Sequence, residues 1–91
     1  MEKGFKDMYL AAALLAYDAE LSRIDRSDTR RQEFIFAAPP EEIYIKSGIA
    51  VLRIENPSLE DVETKFIAKT LFFPPSYPDA LRRIKSAIHS T

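Results

Sequence analysis

Cysteine and tryptophan are absent from the 91 residues, histidine occurs once and glycine twice. Without cysteine there is no disulfide, no thiolate nucleophile and no zinc–thiolate site, and the absence accords with a reducing compartment. Gly4 and Gly48 alone cannot supply a phosphate-cradling loop or a dinucleotide fingerprint. No serine stands in a Gly-x-Ser-x-Gly elbow. Charge of one sign is lacking too. Thirteen basic and fourteen acidic side chains leave a formal charge of −1, with no overall field toward any class of partner. No apolar run approaches the roughly twenty residues of a membrane span. The opening Met-Glu-Lys-Gly-Phe-Lys-Asp lacks the order of a signal peptide, so a cytoplasmic protein without membrane association is expected. The length suits a single domain over 1–91, with residues 1–6 as a lead-in and 89–91 as a frayed end.

What the chain does have is one concentrated apolar stretch. From Met8 to Tyr17 ten consecutive residues carry no charge, and alanine and leucine dominate. These are strong helix formers, and Asp7 before them suits an N-cap, where its carboxylate meets free backbone N–H groups and the positive end of the helix dipole. A helix apolar nearly all round is enclosed on several sides, so this one is expected to be the central core helix. Asp18 follows where a helix end calls for a residue tolerant of positive φ, a position asparagine and aspartate accept after glycine.

The pattern then shifts to strands. Ala19 to Asp25 reads as a first strand in which Leu21 and Ile24 are out of phase, which a bulge reconciles. Arg26 to Arg30 is wholly polar and marks a hairpin loop. In Arg31 to Ala37, Phe34 and Phe36 alternate with Glu33 and Ile35. Pro39-Pro40 ends that strand. Ile43 to Lys46 and Ile49 to Ile54 flank Ser47-Gly48 as a second hairpin, and the rival reading of 41–55 is a helix opened by Pro40-Glu41-Glu42. Ser58 and Asp61 have capping-box spacing for a helix whose stripe is Leu59, Val62, Phe66, Ala68 and Leu71, closed by Phe72-Phe73-Pro74-Pro75. Ser76-Tyr-Pro-Asp79 opens a last helix with Ala80, Leu81, Ile84, Ala87 and Ile88 inward. The expected fold is α+β in the order α-β-β-β-β-α-α, an antiparallel sheet of two to four strands with three helices on one face.

The strings Asp7-Met-Tyr-Leu-Ala-Ala-Ala-Leu14, Glu33-Phe-Ile-Phe36 and Ala80-Leu-Arg-Arg-Ile-Lys-Ser-Ala-Ile88, in that order, resemble a family of small bacterial and phage-associated proteins classed as a domain of unknown function. The likeness covers residues 7–36 and 58–88 and implies a helix, a hairpin and two closing helices. Asp18 stands where that family has glycine, and 41–55 is an insertion relative to it. The resemblance brings no activity, cofactor or catalytic residue.

Chemistry is thinly represented. His89 is the third residue from the end of the sequence, without the fixed setting a general base or metal ligand needs. Glu55, Glu60, Asp61 and Glu63 are acidic neighbours, but acids at a helix start stabilise its dipole without any metal. No catalytic residue, cofactor or metal is expected. Two surfaces remain. Phe72 and Phe73, stiffened by Pro74 and Pro75, form an aromatic corner suited to a protein partner, and the strand Ile49–Ile54 offers an edge that only Arg53 blunts and that centres on Val51. Together they suggest a non-catalytic interaction or regulatory module that forms a homodimer or binds another protein. The alternative is a nucleic-acid-binding regulator whose arginine-rich hairpin, Arg23, Arg26, Arg30 and Arg31, tracks phosphates; Asp25 and Asp28 offset that charge.

Overall fold

A computed structural model describes residues 2–28 and 30–89. The elements run β1 (Lys3–Phe5), α1 (Met8–Ala16), β2 (Glu20–Asp25), β3 (Glu33–Ala38), β4 (Glu42–Ser47), β5 (Ala50–Glu55), α2 (Leu59–Ile67) and α3 (Tyr77–His89). This is an α+β fold whose helices and last four strands follow the expected order. It departs from expectation in having two sheets, one of order β1-β3-β2 and one of order β4-β5. The turn at Pro39-Pro40 takes the chain out of the first sheet altogether. Lys3–Phe5, read from the sequence as lead-in, is an edge strand that pairs Lys3, Gly4 and Phe5 with Phe36, Ile35 and Phe34. Of the frayed end expected at 89–91, His89 is the last residue of α3, and Ser90 and Thr91 lie outside the described residues.

α1 is the buried element the sequence calls for. Its consecutive residues Leu10, Ala11, Ala12, Ala13 and Leu14 are all buried, more than a full turn with no solvent side. α3 packs along it, and the small alanines let the two backbones approach. Asp7 caps the start, its Oδ1 accepting from the N–H groups of Tyr9 at 2.8 Å and Leu10 at 3.2 Å. Asp7→Ala is expected to cost about 1 kcal/mol, read as a lower urea midpoint at unchanged slope. At the other end Asp18 has φ 66°. Asp18 N–H reaches the Leu15 carbonyl at 2.9 Å and Ala19 N–H the Leu14 carbonyl at 3.0 Å, closing α1 in a Schellman motif without glycine.

β2 follows at once, with register shifts between Glu20 and Leu21 and between Leu21 and Arg23, so the irregularity implied by its apolar phasing is real. Phe34 and Phe36 of β3 lie in the core, and Phe36 meets Phe5 edge-to-face at 6.2 Å. β4 and β5 form the hairpin rather than the rival helix. Gly48 takes φ 62° while Ile49 does not follow it there, the pattern of a type II′ turn that matches strand twist.

α2 carries the capping box, with Asp61 N–H donating to Ser58 Oγ and Ser58 N–H to Asp61 Oδ2, both at 3.0 Å. The Ser58 N–H, and after it the Ser58 hydroxyl, hold the Asp61 carboxyl below its usual range. The helix ends earlier than its apolar spacing implies. Lys69, at φ 62°, turns the chain, and Thr70 N–H closes onto the Lys65 carbonyl at 3.0 Å. Leu71 is therefore not on the helix stripe; it bridges Ile45 of β4 and is buried there. Ser76 also differs from expectation: its hydroxyl donates to the Ala16 carbonyl at 3.2 Å, tying the start of α3 to the end of α1 instead of capping its own helix.

Candidate interaction surface

The β4–β5 hairpin is held to the body mainly along β4. On the side of β4 away from β5, Lys46 N–H donates to the Thr70 carbonyl at 2.7 Å, and Phe72 N–H to the Tyr44 carbonyl at 2.8 Å. The Tyr17 hydroxyl from the end of α1 reaches the same seam, donating to the Phe72 carbonyl and accepting from Tyr44 N–H at 3.3 Å. Burial pushes the Tyr17 phenol above its usual pKa, in keeping with a structural hydroxyl.

β5 has no such cover. Ala50, Val51, Leu52, Arg53 and Glu55 are exposed, and Ile54 alone is partly buried. Val51 and Leu52 point to opposite faces of the strand, yet they are 51% and 48% exposed, so water reaches both faces. Ile49 at the turn is fully exposed. One face continues inward as Leu52, Ile54, Ile45 and the buried Ile43. On the other, Arg53 lies between Glu42 at 3.0 Å and Glu55 at 2.8 Å, while Glu42 also accepts from the Tyr44 hydroxyl at 2.9 Å. That bond to a carboxylate raises the Tyr44 phenol pKa. The charge expected to blunt this edge is therefore engaged with acids of its own hairpin.

The backbone polarity of the edge follows from the ladder. Tyr44 and Lys46 direct their hydrogen-bonding groups away from β5, toward 70–72. Their register partners Arg53 and Val51 therefore direct theirs away from β4, because opposed residues alternate between bonded and non-bonded pairs. The Asn56 N–H bond to the Glu41 carbonyl at 2.8 Å has the same phase. Val51, Arg53 and Glu55 thus present N–H and C=O groups outward along a sheet edge without proline.

The aromatic corner is placed differently. The Phe73 ring stacks on Tyr77 at 4.7 Å and meets Phe66 edge-on at 6.2 Å, joining α2 to α3 while remaining 42% exposed. Phe72 is exposed at the margin of the same seam. Phe66, Ile67, Leu71 and Phe73, with Lys46 and Lys69, line a shallow cavity of about 430 Å³. The corner and the hairpin arm are brought close together through Leu71, a neighbourhood the linear sequence does not display.

Two of the four hairpin arginines have partners on other elements of the fold. Arg23 pairs with Glu2 at 2.8 Å, and this bond, more than that from Ser22, lowers the Glu2 carboxyl pKa. Arg26 donates to the Ala87 carbonyl in the last turn of α3. Arg30 and Arg31 are exposed in the loop, and both their N–H groups bond Asp28. Asp25 accepts from the Ser27 hydroxyl and N–H, which lowers its pKa. Both loop acids thus shape the turn as well as offsetting charge.

Of the acidic neighbours, Asp61 is in the capping box, Glu55 is with Arg53, and Glu60 lies 3.9 Å from Lys3. Among the described residues no group of three or more potential metal ligands lies together, and no helix is long and apolar enough to cross a membrane. His89 is the exposed last residue of α3. No family model, curated protein or solved structure matches the chain, so its own geometry is what bears on function.

Proposed function

We propose that this protein is a non-catalytic interaction module that self-associates through its hairpin arm. One observation carries the reading: β5 is a sheet edge with outward backbone groups, no proline and apolar side chains exposed on both faces. Such an edge templates pairing with another strand, and proteins that remain monomeric usually interrupt it with a charge, a bulge or a proline. Arg53 is the one charge inside the apolar part of β5, and its guanidinium is turned to Glu42 and Glu55 of its own hairpin. The aromatic corner supports the same reading as a flanking apolar surface.

Nucleic acid binding has less behind it. Arg23 and Arg26 are engaged within the fold, and Asp25 and Asp28 adjoin the remaining cations.

Val51→Pro is the test of choice, because the outward N–H of Val51 takes no part in the hairpin ladder and its loss leaves that ladder intact. The wild type is expected to show a mass above that of its 10.4 kDa chain in sedimentation equilibrium at high micromolar concentration. Val51→Pro should weaken association about tenfold or more while leaving the circular dichroism spectrum unchanged. A wild type that stays at the monomer mass throughout that range refutes self-association. Phe73→Ser is a poorer probe, since it removes packing from Phe66 and Tyr77 as well as any contact with a partner.

A further inference from the structure

The outward groups of β5 restrict how two copies can meet. In antiparallel pairing, opposed residues either exchange both hydrogen bonds or exchange none. Residues 51, 53 and 55 can therefore oppose only one another across a two-fold axis, and residues 50, 52 and 54 likewise. Four registers pair three or more residues of each strand. With Arg53 opposite its own copy, two like charges are placed face to face, which is destabilising. With Val51 opposite Val51, Ile54 falls against Gly48 of the turn, and the paired segment shrinks to residues 50–52. With Ile54 opposite Ile54, pairing is limited to 53–55, because Asn56, at φ 52°, and Pro57 end the strand.

The fourth register places Leu52 opposite Leu52. Ala50 then faces Ile54 of the other copy, and Val51 faces Arg53. The face bearing Ile45 and Ile54 becomes a continuous apolar row across the axis, Ile54–Leu52–Ala50 against Ala50–Leu52–Ile54. On the opposite face each arginine keeps its own Glu42 and Glu55 and directly opposes the aliphatic Val51, the other arginine lying only on the diagonal. This register alone pairs the whole of 50–54 with no like charges directly opposed.

We infer that two copies of this chain join their β5 strands antiparallel about a two-fold axis at Leu52, merging the two hairpins into one four-stranded sheet. The inference rests on the self-association proposed above and specifies its geometry. The contact is isologous and therefore closes at two copies. Pairing confined to five residues per strand is smaller than the roughly 800 Å² per partner of a standard interface, so association in the micromolar range is expected.

The absence of cysteine makes the geometry directly measurable. Leu52 would sit in a non-bonded pair, with Cα atoms about 4.5 Å apart, within the span of a disulfide. Single-cysteine variants Leu52→Cys, Val51→Cys and Arg53→Cys are oxidised with diamide at equal concentration and run on non-reducing gels. Leu52 is half exposed, so its replacement should leave the fold intact, as a melting curve checks. Leu52→Cys is expected to form covalent dimer about tenfold faster than either neighbour alone. An equimolar mixture of Val51→Cys and Arg53→Cys should yield the heterodimer in preference to both homodimers. Faster homodimer formation by Val51→Cys or Arg53→Cys overturns the Leu52 axis in favour of a shifted register. Equal slow rates for all three, with the untreated wild type dimeric by sedimentation, overturn the Leu52 axis while leaving self-association standing. A monomeric wild type overturns both.

Discussion

Leu14→Asp is expected to abolish cooperative folding. Leu14 is the last of five consecutive α1 residues that are fully or nearly fully buried, and Ala11, Ala12 and Ala13 before it have no exposed surface. No cationic side chain lies in that core to receive a carboxylate, since the described buried residues are all apolar. Burying an unpaired carboxylate costs several kcal/mol even after the group takes up a proton, and removing the leucine adds about 2–5 kcal/mol of lost packing. Domains of this size have a total stability of about 5–10 kcal/mol, so the two losses together reach the whole of it. The expected result is a protein that lacks a sigmoidal urea transition and is recovered mainly as aggregate. Leu14→Met, which nearly conserves volume, should fold, with a cost under about 1.5 kcal/mol. A cooperative, soluble Leu14→Asp variant would mean that α1 does not lie at the centre of the core.

The features legible in the sequence are those decided within a few residues of themselves. Asp7, Ser58 with Asp61, and Asp18 each act on backbone groups two to four positions away, so their residue types declare their roles. The irregularity of β2 shows in the phase of Leu21 and Ile24, and the Gly48 turn in the one residue free to take positive φ.

What was hidden depends on distant partners. Lys3-Gly4-Phe5 has little intrinsic strand preference and becomes a strand by pairing with β3 about thirty residues on. Leu71 continues the helical spacing of Val62 and Phe66, yet Lys69 turns the backbone without a glycine or proline to mark it, because the 70–72 segment bonds to β4. For the same reason the division into two sheets follows from long-range pairing and not from any local signal. At the candidate surface, the β-branched run of β5 was readable as an edge. The pairing of Arg53, the stacking of Phe73 on Tyr77 and the engagement of Arg26 with α3 were not, since each partner except Glu55 lies on another element.

Phe36→Ala tests the role of the hidden β1 strand. Phe36 lies in the central strand of the three-stranded sheet, opposite Lys3 on one side and Leu21 on the other, with no exposed surface. Its ring meets Phe5 edge-to-face, so the two side chains close the core beneath α1. Truncation to alanine removes a large apolar surface from the core and leaves a cavity between two strands whose backbone hydrogen bonds resist collapse; the expected loss is about 3–5 kcal/mol. Phe5→Ala should cost less, because Phe5 sits on a three-residue edge strand that is freer to relax. In a double-mutant cycle the two should be non-additive by about 0.5–1.5 kcal/mol, the share of the ring–ring contact. Urea unfolding of the four proteins measures all of these, with unchanged slopes indicating that the native state keeps its compactness. Strict additivity would mean that β1 does not hold Phe5 against Phe36 in solution, and that the first sheet consists of β2 and β3 alone.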